Sequence, residues 1–289
     1  MLLGAIRVLS QLAERPNPVT FLFQPAEEGG AGGKRMCDEG CLLGEAGGGL
    51  GPRVLRVFGL HGWPTMPVGQ VATRPGALLA ATNDFVVRVC STGGHAAYPH
   101  QTADPVLTAA QIVCALQSIV SRNIEPTEPI VITVARIAGG AANNVIPTTV
   151  ELGGTVRTIS SQTRRYVHER FLQVVEQTAA AMGCHVEIDW REGYPVTHND
   201  PGLTERFFAV AREALGAERV EQTEHPTLGG EDFSYYGQHV PACFFLLGLL
   251  PKGADPATTP KLHQADFDFN DDAIPTGVET LCRLALAPA

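Results

Sequence analysis

The chain has 289 residues, more than one core usually fills, so one large domain or two smaller ones is expected. Apolar residues make up 44% and charged residues 18%, the balance of a folded globule and not of a disordered chain. A net charge of −9, a pI near 5.5 and the lack of any run of Lys or Arg argue against a nucleic-acid surface.

No apolar run approaches the ~18 residues of a membrane span. Met1 to Leu12, with Arg7 and Gln11 inside it, reads as an amphipathic helix and not as a secretory leader. The seven cysteines are odd in number and follow no framework, which points to a reducing compartment and a cytoplasmic location. Cys37 and Cys41 are followed by no second pair, so they read as small packing residues and not as zinc ligands.

In chain order, Leu2, Leu3, Ile6, Leu9 and Leu12 repeat at helical spacing, with no capping residue ahead of them. Val19 to Phe23 is a strand-like run ending in Gln24-Pro25-Ala26-Glu27-Glu28-Gly29-Gly30. Lys34 to Leu42 suggests a short helix, and Val54 to Leu60 a second strand closed by His61-Gly62-Trp63-Pro64. Ligand sites in open α/β sheets lie at such carboxyl ends. Next come a strand at Phe85 to Val89, a helix from Pro105 capped by Asp104, and strands at Ile130 to Ile137 and Val150 to Arg157. A helix opened by Ser160 or Ser161 and a strand at Cys184 to Trp190 complete a β-α-β-β-α-β order, the pattern of a ferredoxin-like split unit. The expected division is 1–80, an inserted domain at about 81–193, and 194–289, with further helices at Pro201 to Leu215 and Asp272 to Leu286 around a strand at Ala242 to Gly248.

The chemistry-bearing residues gather at these ends. Glu27 and Glu28 suit a division of labour in which one carboxylate binds metal and the other moves a proton; the plain alternative is a solvated acidic turn. His61 and His263 add imidazoles, with zinc or manganese as the fitting metals; the alternatives are a histidine packed in a turn and a surface-loop histidine. In the insertion, His95 follows Gly93-Gly94 and Asn144 lies in a loop between strands; both offer donors to a polarised carbonyl oxygen, or are ordinary turn residues.

Together and in this order, Phe23-Gln24-Pro25-Ala26-Glu27-Glu28-Gly29-Gly30, Gly93-Gly94-His95, Asn144-Val145-Ile146-Pro147 and Gly230-Glu231-Asp232-Phe233 resemble the amidohydrolase branch of the aminoacylase-like dinuclear metallopeptidases. That branch includes hippurate hydrolases, N-acyl-amino-acid deacylases and auxin-conjugate hydrolases. The resemblance covers essentially the whole chain. It implies a zinc-peptidase-like α/β catalytic domain with the inserted domain as a dimerising lid, and hydrolysis of N-acyl amino acids. It assigns Glu27 as general base, Glu28, His61 and His263 as ligands of two divalent metals (Mn or Zn, with Co or Ni open), and His95, Asn144, Arg157 and Gly230 as substrate-facing residues. It also implies a homodimer formed through the lid.

The family pattern includes a Cys-Gly-His-Asp-Gly-His stretch ahead of the first helix, carrying a cysteine and a histidine ligand. These 289 residues contain no such stretch. The catalytic domain therefore reads as incomplete at its N-terminus, through a misassigned start, a fragment or a genuine shortening, and little activity is expected of it alone. A non-catalytic dimerising or binding remnant is the competing reading. A metallo-exopeptidase is a weaker one, because His61 stands where peptidase relatives usually place a carboxylate.

Overall fold

Nine consecutive apolar residues, Ala242 to Leu250, are buried on both faces and form the centre of a sheet. In the computed structural model, which describes residues 1–288, the helices are α1 (Leu2–Ser10), α2 (Gly32–Asp38), α3 (Pro105–Ser118), α4 (Ser161–Ala181), α5 (Pro201–Leu215) and α6 (Ile274–Leu286). Strands of three residues or more are β1 (Val57–Pro67), β2 (Val71–Thr73), β3 (Gly76–Leu79), β4 (Ala81–Cys90), β5 (Ile130–Gly139), β6 (Thr149–Thr158), β7 (His185–Glu192), β8 (Thr197–Asn199), β9 (Val220–Gln222) and β10 (Ala242–Leu250). One unit holds Met1–Leu78, Thr197–Thr227 and the residues from Glu231 on; a second holds Leu79–Val196 with Leu228–Gly230.

The first unit carries a four-stranded sheet of order β1-β10-β2-β9, in which β1 and β10 run parallel. Alternate residues of β10 serve its two faces. Cys243, Phe245, Leu247 and Leu249 join Leu203, Phe207 and Ala211 of α5 and Leu284 of α6, while Phe244 meets Phe233 with tilted rings and Leu246 packs with Met66 and Ala72. The short strand β8 pairs with β3, and its buried Asn199 binds the Phe244 amide and carbonyl, fixing β8 beside β10.

The second unit is a four-stranded antiparallel sheet of order β5-β6-β4-β7. Its β-α-β-β-α-β sequence gives the ferredoxin-like arrangement, with α3 and α4 packed on each other and on β4 and β6. Asp104 caps α3 by accepting from the Val106 and Leu107 amides, and Ser160 caps α4 through the Thr163 amide. Phe85 of β4 meets Phe171 of α4 at 4.7 Å between ring centroids.

Three sequence expectations need correction. Val19 to Phe23 pairs with no strand among the described residues; Phe21 instead packs with Ala5, Leu9 and Cys282, and Phe23 is exposed. The strand expected to close at His61 runs on to Pro67, because β10 continues alongside it to Leu250. An irregularity in register between Trp63 and Pro67 accommodates Pro64, which has no amide to donate. Finally, one helical stretch, Pro105–Asn123, is long and apolar enough to cross a membrane, although the sequence reading found none. Its Thr108, Ala109, Ile112 and Leu116 face are buried in the core of the second unit, the behaviour of a core helix.

Candidate active site

The acidic turn is built by close backbone approaches. A Cβ on Gly32 would lie 1.7 Å from the Pro25 carbonyl oxygen, and one on Gly33 would lie 2.7 Å from the Asp232 carbonyl oxygen, so both positions require glycine. Glu27–Gly30 forms a single helical turn interrupted at Glu28 and Gly29. Ala26 (φ 57°) and Ala31 (φ 48°) bracket it in the left-handed region. Among the described residues one other non-glycine has positive φ: His263, at 64°. Such conformations cost about 1–3 kcal/mol each and persist where the surroundings over-determine them.

These strained positions bring Glu28 and His263 together. His263 Nδ1 lies 3.9 Å from Glu28 Oε1, and both side chains are open to solvent. Glu27 stands beside them, half-buried. Burial raises its pKa, and the charges of Glu28 and Asp232 add to the rise; a backbone hydrogen bond from Asp232 and the nearby His263 oppose it. An imidazole and a carboxylate at this spacing form a fitting pair of ligands for one divalent ion.

His61 is placed differently. It sits in mid-strand opposite Leu246, half-buried, with Nδ1 2.8 Å from the Gly62 carbonyl oxygen and its ring edge-on to Trp63. Among the described residues it joins no group of three metal-capable side chains within 4.8 Å, and neither do Glu28 and His263. The group that does form is Glu27, Glu231 and Asp232.

Glu231 and Asp232 are functional-site candidates that the site reading from sequence passed over in favour of Gly230. Both are buried at the start of a 3-10 segment, Asp232–Gln238. Burial pushes the Glu231 carboxyl up to about 8, with Glu27 and Asp232 contributing, against a lowering hydrogen bond from the Phe233 amide. Asp232 accepts from Gln24 Nε2 at 2.5 Å and from the Gly33 amide at 2.8 Å. Two adjacent acids after Gly229-Gly230 and before Phe233 were the available signal.

The remaining predicted residues lie in the second unit. His95 pairs with Val145 across a two-residue bridge, and the Asn144 carbonyl accepts from the Ala96 amide at 2.9 Å, so the two loops are neighbours. His95 Nδ1 accepts from the Ala97 amide at 3.1 Å. Arg157 is half-buried on β6, and a Cβ added to Gly230 would meet Thr82 at 2.3 Å and Arg157 Nη1 at 3.5 Å. The close approach of Thr82 requires glycine at that position.

A sequence profile of peptidase family M20/M25/M40 matches residues 1–287. The chain belongs to that family. It is 36% identical over 290 residues to the IAA-amino acid hydrolase ILR1-like 4 of Arabidopsis thaliana, covering 99% of this chain and 63% of that protein. It is 39% identical over 249 residues to an N-acetyl-L-cysteine deacetylase of Bacillus subtilis (strain 168), covering 86% of this chain and 57% of that protein. A dinuclear metal-binding peptidase of the M20 family from Bacillus subtilis superposes with a TM-score of 0.77 at 28% identity, covering 99% of this chain and 69% of that structure. The chain thus spans 57–69% of the length of these proteins.

Proposed function

We propose that the chain serves the divalent-metal-dependent hydrolysis of the amide bond of small N-acyl amino acids. The observation that carries this is the pairing of Glu28 with His263 beside a half-buried Glu27 of raised pKa. The relatives whose names describe hydrolysis of amino-acid conjugates or deacetylation support it. Glu28 and His263, with His61 as the resemblance assigns it, would hold a divalent ion, Mn or Zn. A bound ion of this kind supplies Lewis acidity that makes water acidic enough to attack. Glu27 takes the proton of the attacking water and hands it to the leaving nitrogen, for which a pKa raised toward the working pH is the useful direction. The resemblance assigns His95 and the Asn144 amide, both in the second unit, as substrate-facing donors. The Arg157 guanidinium beside Gly230 takes the substrate carboxylate.

Two metals sharing a water take about five protein ligands, and the residues named here number three. Turnover of hippurate and N-acetyl amino acids is therefore measured on chelator-stripped protein with Mn or Zn restored. One arm uses these 289 residues alone; the other supplies a relative's Cys-Gly-His-Asp-bearing segment ahead of them. Metal-dependent turnover in either arm that Glu27→Gln abolishes, with metal content intact, supports the reading. Turnover indifferent to chelation or to Glu27→Gln overturns it.

We also propose that the chain pairs with a second copy through the second unit. β5 is an edge strand whose residues from Ala135 to Gly139 are all exposed, Ile137 at 59%. Exposed edges of this kind need cover, and two-fold pairing is the commonest way to give it. A strict monomer in sedimentation at micromolar concentration would count against this.

A further inference from the structure

We infer that Asp232 is a positioning residue that holds the Glu27-Glu28 turn by both of its ends; the inference rests on the function proposed above. Its proximity to Glu27 and Glu231 would by itself mark it as a metal-ligand candidate. Its hydrogen bonds say otherwise. Asp232 is fully buried. One carboxyl oxygen accepts from Gln24 Nε2, before the turn, and the other from the Gly33 amide, after it. Each oxygen thus accepts from an N–H donor, and the Glu231 carboxyl hydrogen-bonds to the same carboxylate.

The Gly33 bond also answers a need of α2. The first amides of a helix lack intrahelical partners, and Ala31, at the cap position, has no side chain to offer them. Asp232 supplies that cap from a distant part of the chain. Its own backbone N–H donates to the Glu27 carboxylate, so one residue fixes the start of the turn, its end and its reactive side chain. The left-handed Ala26 and Ala31 inside the same span need such restraint, because neither conformation is the local preference of alanine.

The test compares Asp232→Ala, Asp232→Asn and Gly33→Ala with the wild type. Two readouts are taken: amide hydrogen exchange of residues 24–33, and Mn2+ affinity by electron paramagnetic resonance. Asn keeps an oxygen for the Gly33 amide, and its NH2 can donate to Gln24 once that amide flips. Asp232→Ala is expected to speed exchange across 24–33 roughly 100-fold, the scale of losing hydrogen bonds to a buried carboxyl. Mn2+ affinity should fall at least about tenfold with it, while amides of β6 stay unchanged. Asp232→Asn should restore both readouts to within about fivefold of wild type. Should Asp232→Ala not fold, Gly33→Ala decides: its methyl group must displace Asp232, and exchange at 24–33 should rise. Exchange left at the wild-type rate in these variants overturns the inference. So does an Asp232→Asn protein with normal exchange but the Mn2+ loss of the alanine variant, which would make Asp232 a ligand. Failure of the parent function reads out separately, as Glu28→Gln and His263→Ala variants whose Mn2+ affinity equals wild type.

Discussion

Replacing Glu231 by Gln should stabilise the metal-free first unit, by an amount that grows with pH. Glu231 is 6% exposed, and burial is the main reason its carboxyl titrates near 8. Its folded pKa therefore lies above the ordinary glutamate value of 4.5. Below the unfolded pKa the acid is protonated in both states and costs nothing. As pH rises toward 8 the unfolded chain ionises freely while the folded one resists, and stability is lost across that window. A rise from 4.5 to about 8, at ~1.36 kcal/mol per tenfold change in ionisation, would give about 5 kcal/mol at most. Relaxation and water entry make roughly 2–4 kcal/mol the working expectation. Glutamine mimics the protonated acid: its oxygen still accepts from the Phe233 amide, as Glu231 Oε1 does at 3.2 Å, and its NH2 can donate to Asp232 as the protonated carboxyl does.

The two tryptophans fall one in each unit, Trp63 in the first and Trp190 in the second. A Trp190→Phe background therefore gives a fluorescence signal for the first unit alone. Chelator-treated protein is melted at pH 5, 6, 7 and 8, with and without Glu231→Gln. The two proteins should agree near pH 5 and separate by roughly 6–12 °C at pH 8, at about 2–4 °C per kcal/mol for a unit of this size. Parallel profiles across the four pH values would refute the assignment of Glu231 as a buried, neutral acid.

Other substitutions test other links. Asn199→Ala removes the side chain that holds the Phe244 amide and carbonyl, and should destabilise the first unit by about 3–5 kcal/mol in urea unfolding, leaving buried backbone groups unpaired. Phe171→Ala, fully buried against Phe85, should cost the second unit about 3–5 kcal/mol, visible as early loss of the Trp190 signal. Arg157→Ala should raise KM for N-acyl amino acids at least about tenfold, and far less for the matching amides that lack the carboxylate; equal effects on both would remove Arg157 from carboxylate recognition.

Much of the fold was legible because it follows from local periodicity. The ferredoxin-like unit shows alternation on its strands and two capped helices, Asp104-Pro105 and Ser160, and each of those caps is made. Element ends were less legible because partners set them. β1 extends to Pro67 only because β10 lies alongside, and Val19 to Phe23 has strand composition without a strand to pair with. The site divides in the same way. Glu27 and Glu28 announce themselves as adjacent acids beside glycines. Asp232 and Glu231 sit about two hundred residues further on, in a chain position that looks like an ordinary acidic turn, and their importance depends on being buried there.

That burial explains how the turn can exist. A span with left-handed alanines at 26 and 31 has no local reason to hold its shape, and nor does His263 at φ 64°. At about 1–3 kcal/mol each, the three together cost several kcal/mol, a large part of the ~5–15 kcal/mol that keeps a protein folded. The hydrogen bonds to Asp232 and the glycines that let Pro25 and Asp232 approach are the offsetting terms on the 26 and 31 side. For His263, lying in a loop with Glu28 at 3.9 Å and both side chains exposed, that contact alone is too weak to serve, since even exposed ion pairs contribute only about 0–1 kcal/mol. A divalent ion binding both side chains would supply the missing term, by mass action on the folded state. Added Mn2+ should therefore raise the melting temperature of the first unit and protect the loop around residue 263 from exchange. Both effects should vanish in His263→Ala; a thermal shift that survives that substitution would place the ion elsewhere.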